Sequence, residues 1–351
     1  MLYVIDNADI IGLVDAYVSL VWAVQFAGLG EFELVVRCTT ENVDLLRKGR
    51  VLCRSEDRSG NTFNNCMIIR TTTFSYDSES GYLLRVRGTG LKGMLNQRII
   101  WEQENHENAP VANVVTAVVT NNTPAGDRSL PNFVIPNPPA SITATGTFQV
   151  FGENLGDWVS AVASEYGFGW DIVFDGSDNV FTLKSSTNRT RAGGSDSPVI
   201  FSREFDNLLS CEYKEDMENY ANTALVGGEG EGTSKRVAGV GTDASGLNRF
   251  ETYVDGSSVS SNGEIITAAT YLKMLKQYGQ TELEAHNVSK TFSANVDLER
   301  PYVLGEDYSL GDIVEVDAGF GITASARLSE IIFSEDENGK TTIGNFEEWE
   351  V

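Results

Sequence analysis

Two stretches near the ends of the chain follow one plan, and a repeat of that kind restricts the fold more than composition does. In the first, Leu45-Leu46-Arg47-Lys48-Gly49 leads into Val51 and Leu52, then Ile68 to Phe74, then Ser75-Tyr76-Asp77-Ser78-Glu79-Ser80-Gly81 and a closing strand. In the second, Tyr308-Ser309-Leu310-Gly311-Asp312 leads into Ile313 to Val316. A glycine-bearing turn follows, then Arg327 to Phe333, Ser334-Glu335-Asp336-Glu337-Asn338-Gly339, and finally Thr342, Ile343 and Phe346. Phe-Ser and an acidic turn ending in Gly thus stand at a similar offset from a Leu/Gly entry in both places. Self-similarity of this sort marks a duplicated supersecondary unit. The expectation is that Thr39 to Gly88 and Asp297 to Glu347 superpose as one β-unit on either side of a mixed α/β middle.

The local patterns agree with such a plan. Leu20, Trp22 and Val24 alternate with Val21, Ala23 and Gln25; beyond Gly28 to Gly30, Phe32, Leu34 and Val36 alternate with charged Glu31, Glu33 and Arg37. Period-two text around a glycine break predicts a hairpin. A second hairpin runs from Met67 to Phe74, turns over Asp77 to Gly81, and returns through Tyr82, Leu84 and Val86. Helices are expected after Asn108 and Pro110, with a stripe of Val111, Val114, Val115 and Val118, and from Leu155 through Trp158, Val159 and Val162 to Tyr166, closed by Gly167. A third is expected from Ile265 to Tyr278, with Ile265, Ala269, Leu272 and Leu275 on one face and Gly279 at its stop. Asn121 to Pro139 reads as a long surface connection.

Charge and chemistry narrow the function. Lys+Arg 26 against Asp+Glu 50 leaves a net charge of −24 over 351 residues, which repels phosphate backbones and disfavours sequence-independent nucleic-acid binding. The richest apolar run, Leu13 to Leu29, is broken by Asp15, Ser19, Gln25 and Gly28, and neither a membrane span nor a signal peptide is expected. Cys38, Cys53, Cys66 and Cys211 form no CxxC pair; they point to a reducing compartment, three of them sit in apolar, strand-like text as buried thiols would, and a Cys38–Cys53 disulfide is left open. His106 and His286 lack ligand spacing, so no metal site is expected. Gly227-Gly228-Glu229-Gly230-Glu231-Gly232 fits neither phosphate-binding pattern and reads as a flexible loop. Asp175-Gly176-Ser177-Asp178-Asn179 lacks the terminal acid of a calcium loop and reads as a hairpin turn. Paired acids such as Glu215/Asp216, Asp307/Asp312 and Glu347/Glu348 are unremarkable among so many, and no serine or cysteine has a nearby histidine to activate it. No catalytic, cofactor-binding or metal residue is therefore assigned. The sequons at Asn188 and Asn287 carry weight only in a secreted eukaryotic protein.

Several segments together resemble the siphophage tail hub proteins. They are Trp22…Gly30-Glu31-Phe32-Glu33-Leu34, then Asn42-Val43-Asp44-Leu45-Leu46…Gly49, and Gly88-Thr89-Gly90-Leu91-Lys92-Gly93-Met94-Leu95-Asn96-Gln97-Arg98-Ile99-Ile100. The likeness continues through the Trp158 helix with Tyr166-Gly167-Phe168-Gly169, through Val199-Ile200-Phe201-Ser202…Asn207-Leu208-Leu209, and through Asn222…Val226 with the glycine-rich loop to Gly232. It ends in Tyr302…Tyr308-Ser309-Leu310-Gly311-Asp312-Ile313-Val314, so it covers essentially the whole chain.

The resemblance implies a β-rich α+β chain similar to the trimeric hub of contractile-tail baseplates, with two tail-tube-like β-barrel domains flanking a mixed α/β middle. The expected division is a first barrel at 1–105, a middle domain at 106–200, a second barrel at 201–235 and 291–351, and a helix-containing insertion at 236–290 packing with the middle. The implied function is structural: a homotrimeric ring in the virion, assembled in the host cytoplasm, that joins a six-fold tail tube or distal tail ring to fibres or receptor-binding proteins. DNA would transit without specific binding. The alternative is a tail-associated lysin cutting peptidoglycan, for which a chain ending at Val351 leaves little room. A lectin-like receptor module would expose clustered aromatics, and Trp101, Trp170 and Trp349 are scattered.

Overall fold

The structure, a computed structural model, describes the chain apart from residues 80, 262–265, 297–300 and 349–351; residues 289–295 and 348 are described by their backbone alone. It divides into two compact units, Met1–Cys211 with Ser293–Val351, and Glu212–Phe292.

The first unit opens with β1 (Leu2–Asp6), β2 (Asp9–Val14), β3 (Ser19–Gln25) and β4 (Glu31–Arg37), followed by α1 (Thr40–Leu45), β5 (Val51–Arg54), β6 (Arg58–Ser59), β7 (Thr62–Phe63), β8 (Met67–Asp77) and β9 (Gly81–Gly90). Alternation decides which face each strand buries: Leu20, Trp22 and Val24 of β3 and Phe32, Leu34 and Val36 of β4 point into one core with Leu2, Val4, Leu52, Ile69 and Val86. Trp22 is fully buried there, and its indole donates to the Asn65 carbonyl at 3.2 Å.

Next come β10 (Glu104–Pro110), α2 (Val111–Asn122), β11 (Phe133–Val134), β12 (Thr145–Val150), α3 (Leu155–Glu165), β13 (Gly169–Phe174) and β14 (Asn179–Lys184). The valine stripe of α2 is buried as its spacing predicts, against Leu155, Trp158, Val159 and Val162 of α3 and Trp170 and Ile172 of β13. Asn154 caps α3, accepting from the amides of Gly156 and Asp157, and Gly167 (φ +70°) ends it in the left-handed region.

β15 (Ile200–Ser202) and β16 (Leu208–Asp216) lead towards the second unit, which holds β17 (Thr223–Gly227), β18 (Val237–Gly241), β19 (Glu251–Asp255) and α4 (Ala268–Glu284). The return passes through β20 (Ser289–Val296), which pairs with β16, into β21 (Ile313–Gly319), β22 (Ile322–Asp336) and β23 (Gly339–Glu348). In the second unit α4 lies on the sheet β18-β17-β19, burying Tyr271, Leu275, Gly279 and Leu283. The expected helix was misplaced. Gly279 is not its stop but the point where it meets the sheet, since a Cβ there would stand 2.1 Å from Val226. Leu272 is 39% exposed, and Ile265 lies outside the described residues.

The barrel expectation also changes. Among the described residues no sheet closes on itself; instead the first and last parts of the chain share one 11-stranded sheet in the order β15-β21-β22-β3-β4-β9-β8-β5-β1-β2, with β23 paired to β22. The cysteines pair differently from the bridge left open: Cys53 bonds Cys66, their Cα atoms 4.7 Å apart, while Cys38 is free and Cys211 is free and exposed. The two strand ends that carry Cys53 and Cys66 converge in the core under Leu91, which no spacing rule signals.

Candidate functional site

The repeated text folds into repeated geometry. Gly49 (φ +88°) and Gly311 (φ +96°) open the two copies in the left-handed region that glycine tolerates without strain. The Gly49 amide donates to the Ile69 carbonyl at 2.8 Å and the Ile69 amide to the Arg50 carbonyl at 2.9 Å; the Gly311 amide donates to Leu328 at 2.8 Å and the Leu328 amide to Asp312 at 3.0 Å. Val51 then faces Ile68 and Leu52 faces Met67, as Ile313 faces Arg327 and Val314 faces Ala326. A β-bulge interrupts each long strand, at Arg70 between Ile69 and Thr71 and at Ser329 between Leu328 and Glu330. Phe74 and Phe333 follow at the same remove, and the return strands begin at Gly81 opposite Asp77 and at Gly339 opposite Asp336. Bulges fix register and bend, so agreement at the bulge aligns the copies residue by residue.

The second copy joins the hairpin that precedes the first copy along β22 and β3, where Glu330 to Glu335 pair antiparallel with Gln25 to Leu20. The Gln25 amide donates to Glu330 at 2.8 Å, and the Phe26 backbone amide donates to the Ser329 carbonyl at 2.8 Å. Phe333 lies against the first copy's core with the Arg54 guanidinium 3.5 Å from its ring centre. Tyr17 donates to Glu335; burial first, and that bond second, push its phenol above the ordinary value. Lys340 sits 3.6 Å from Glu56 and 3.4 Å from Glu335. Tyr17, Arg54, Glu56, Phe333, Glu335 and Lys340 line an open cleft of about 1390 Å³ beneath the seam.

The turn between β3 and β4 is held from below. Lys92, in the 3₁₀ segment Leu91–Gln97, donates to the carbonyls of Gln25 at 2.6 Å, Gly28 at 2.8 Å and Phe26 at 3.3 Å. Burial pulls its pKa down to about 7, partly opposed by Asp171. Trp170 closes the same turn by donating to the Ala27 carbonyl at 2.6 Å.

Several of the residues weighed for chemistry have structural partners. His106 faces Glu104 at 3.3 Å, and His286 Nδ1 lies 2.9 Å from the Asn219 carbonyl. Asp312 is buried and accepts from the amides of Thr187 and Ser309, with Arg189 at 3.3 Å. Asp307 accepts from the Val303 amide, Asp216 pairs Lys214, and Glu347 pairs Arg327 at 3.0 Å. Asp175 turns the β13–β14 hairpin by accepting from the amides of Asp178 and Ser177, which, in that order, lower its pKa. In the glycine-rich loop Tyr271 accepts from the Glu229 amide, Glu229 accepts from the Ser261 amide, and the Gly228 amide donates to the Arg236 carbonyl. Among the described residues no group of three or more His, Cys, Asp or Glu is placed to hold a metal ion.

One surface feature escaped the sequence reading. Phe74, Tyr76 and Tyr82 form an exposed aromatic ladder across the β8–β9 hairpin, with ring centres 5.5 Å apart for Phe74 and Tyr82 and 4.6 Å for Tyr76 and Tyr82. Its signal in the sequence is the pairing of Tyr76 with Tyr82 across the turn; of the tryptophans, Trp170 is buried, Trp101 is exposed, and Trp349 lies outside the described residues.

Comparison with known proteins places this geometry. No curated protein matches the sequence significantly. Solved structures of similar fold include a prophage MuSo2 43 kDa tail protein from Shewanella oneidensis, 13% identical with TM-score 0.58, covering 98% of this chain and 97% of that one. The tail protein from Neisseria meningitidis MC58 is 15% identical with TM-score 0.59, covering 99% and 96%. Prophage tail protein gp18 from Listeria monocytogenes EGD-e is 10% identical with TM-score 0.52, covering 98% and 94%. The sequence profile of the Siphovirus ReqiPepy6 Gp37-like proteins matches residues 2–345, nearly the full length. The chain, which has the fold of phage tail proteins, belongs to the Siphovirus ReqiPepy6 Gp37-like protein family.

Proposed function

We propose that this protein is a structural hub of a phage tail tip, three copies of which form a ring between a six-fold tail tube and the distal tail apparatus. The observation that carries the reading is the duplication of the β-unit, matched at the entry glycine, the bulge and the hairpin turn. Three chains with two such units each present six similar faces, which suits a six-fold partner, and closed rings are the common outcome of head-to-tail association. Likeness in fold to tail proteins supports the setting. The protein acts in the virion after assembly in the host cytoplasm, contacts the tube or a distal tail ring on one side and fibres or receptor-binding proteins on the other, and lets DNA pass without specific binding. It works without enzymatic activity or cofactor, a reading supported by the engagement of Asp312 with the Thr187 amide, of Asp216 with Lys214 and of His286 with the Asn219 carbonyl.

Purified protein incubated with its tube protein and fractionated by size tests the reading. A stable complex, with no release of soluble fragments from host cell walls, is expected. Cell-wall cleavage abolished by mutation of a single carboxylate would establish the lysin reading instead.

A further inference from the structure

We propose that the outer edge of β8, Thr71–Tyr76, and the ladder Phe74, Tyr76 and Tyr82 form the joint that receives β16 (Leu208–Asp216) of a neighbouring copy of this chain. The inference rests on the ring reading and names the surface that closes it. It comes from comparing what covers each repeat. In the second copy, residues 330–335 of β22 pair with β3 and are buried or half-buried. Their counterparts in the first copy are Thr71–Tyr76, aligned through the shared bulge. That edge of β8 has no strand partner among the described residues, and its side chains are exposed except for half-buried Thr72. Phe333 is covered by the first copy's core and by Arg54, whereas its counterpart Phe74 is 60% exposed, with Tyr76 63% and Tyr82 56% exposed beside it. A Cβ on Gly311 would meet the Phe26 ring at 2.0 Å, while a Cβ on Gly49 meets nothing within 4 Å. At these positions the second copy is covered by β3, Phe26 and the N-terminal core, whereas the first copy is exposed apart from half-buried Thr72.

A bare strand edge flanked by exposed rings is a surface that folded proteins cover. The occupant is a second copy because this sequence already builds the fitting surface once, within one chain. In the intramolecular seam the covering strand is β3, the leading strand of the pair β3–β4. In the second copy the pair that precedes the entry glycine is β16–β20, so β16 takes the place of β3. Among the described residues β16 pairs only with β20, and it leaves Leu209 71% exposed. Strand addition of β16 from the next chain to β8 repeats the β22–β3 seam between chains and continues the sheet around the ring.

The test uses the full chain. Wild type is compared with Phe74→Asp/Tyr82→Asp and with Leu247→Asp, an exposed control in the second unit, by sedimentation across a concentration series, alone and with the tube protein. Thermal melts check that each variant folds. The amide exchange of Thr71–Tyr76 in wild type is followed over the same series. The proposal expects the double variant to raise the association midpoint by at least about a hundredfold with an unchanged melt, the control to associate as wild type does, and the Thr71–Tyr76 amides to slow as assembly proceeds. A double variant that assembles normally, with exchange independent of concentration, overturns the joint and leaves the ring standing. Loss of tube-protein binding with self-association intact assigns the surface to that protein and also overturns the joint. Wild type monomeric at every concentration, alone and with the tube protein, overturns the ring reading and the joint with it.

Discussion

The side-chain nitrogen of Lys92, a residue 4% exposed beneath the β3–β4 turn, takes the place of water at the Gln25 and Gly28 carbonyls. Lys92→Met strands those carbonyls and is expected to lower stability by roughly 2–3 kcal/mol in urea unfolding. Its folded pKa, about 7, lies below the ordinary lysine value of 10.5. Between those values the unfolded chain holds a proton that the folded chain does not, so this group makes stability rise with pH across that window. Wild type should therefore gain stability between pH 7 and pH 9.5 relative to Lys92→Met; a parallel pair of pH profiles would show that the lysine is not the linked group. The entry glycines make a second residue-scale comparison. Gly49→Ala meets only the cost of a left-handed alanine, about 1–2 kcal/mol, whereas Gly311→Ala adds the collision with Phe26. The second substitution is expected to be clearly the more destabilising by denaturant midpoint, and equal losses would argue against tight packing at the seam.

At the level of elements, legibility followed period and punctuation. Both hairpins and the helices α2 and α3 were readable because alternation, the valine stripe, Asn154 and Gly167 act locally. Phe-Ser and its acidic turn exposed the repeat, yet the bulges at Arg70 and Ser329, which align the copies, leave no mark in residue type. Gly279 misled because a glycine that lets α4 approach Val226 looks, in sequence, like one that ends a helix. The Cys53–Cys66 bridge depends on two strand ends meeting in space. Thiol titration of protein denatured without reductant should find only Cys38 and Cys211 reactive, and reduction should cost about 3 kcal/mol. Full reactivity of all four cysteines before reduction would mean that the bridge does not form.

For the whole molecule, the least legible feature was the joining of both chain ends into one sheet. The β22–β3 pairing links residues from opposite ends of the sequence, and nothing local in Ile331 or Val24 specifies the other. Two separate barrels were the simpler expectation from the repeat, and the shared sheet replaces them. The net charge of −24 acts at this scale too. A wall rich in lysine or arginine grips DNA through counterion release, whereas acidic walls repel it over about 8 Å at physiological salt. Acidic side chains are therefore expected to outnumber basic ones on the inner face of the ring, and replacing several of them with lysine should slow DNA ejection most at low salt. Ejection unchanged by such replacements would place the charge outside the channel.

The central claim is that one chain supplies two equivalent units to a three-chain ring. Native mass measurement of the purified protein, alone and bound to its tube protein, tests it most directly. The account predicts a species of three times the 38.3 kDa chain mass, docked on six tube subunits; a monomer or an even-numbered assembly in both conditions would contradict it.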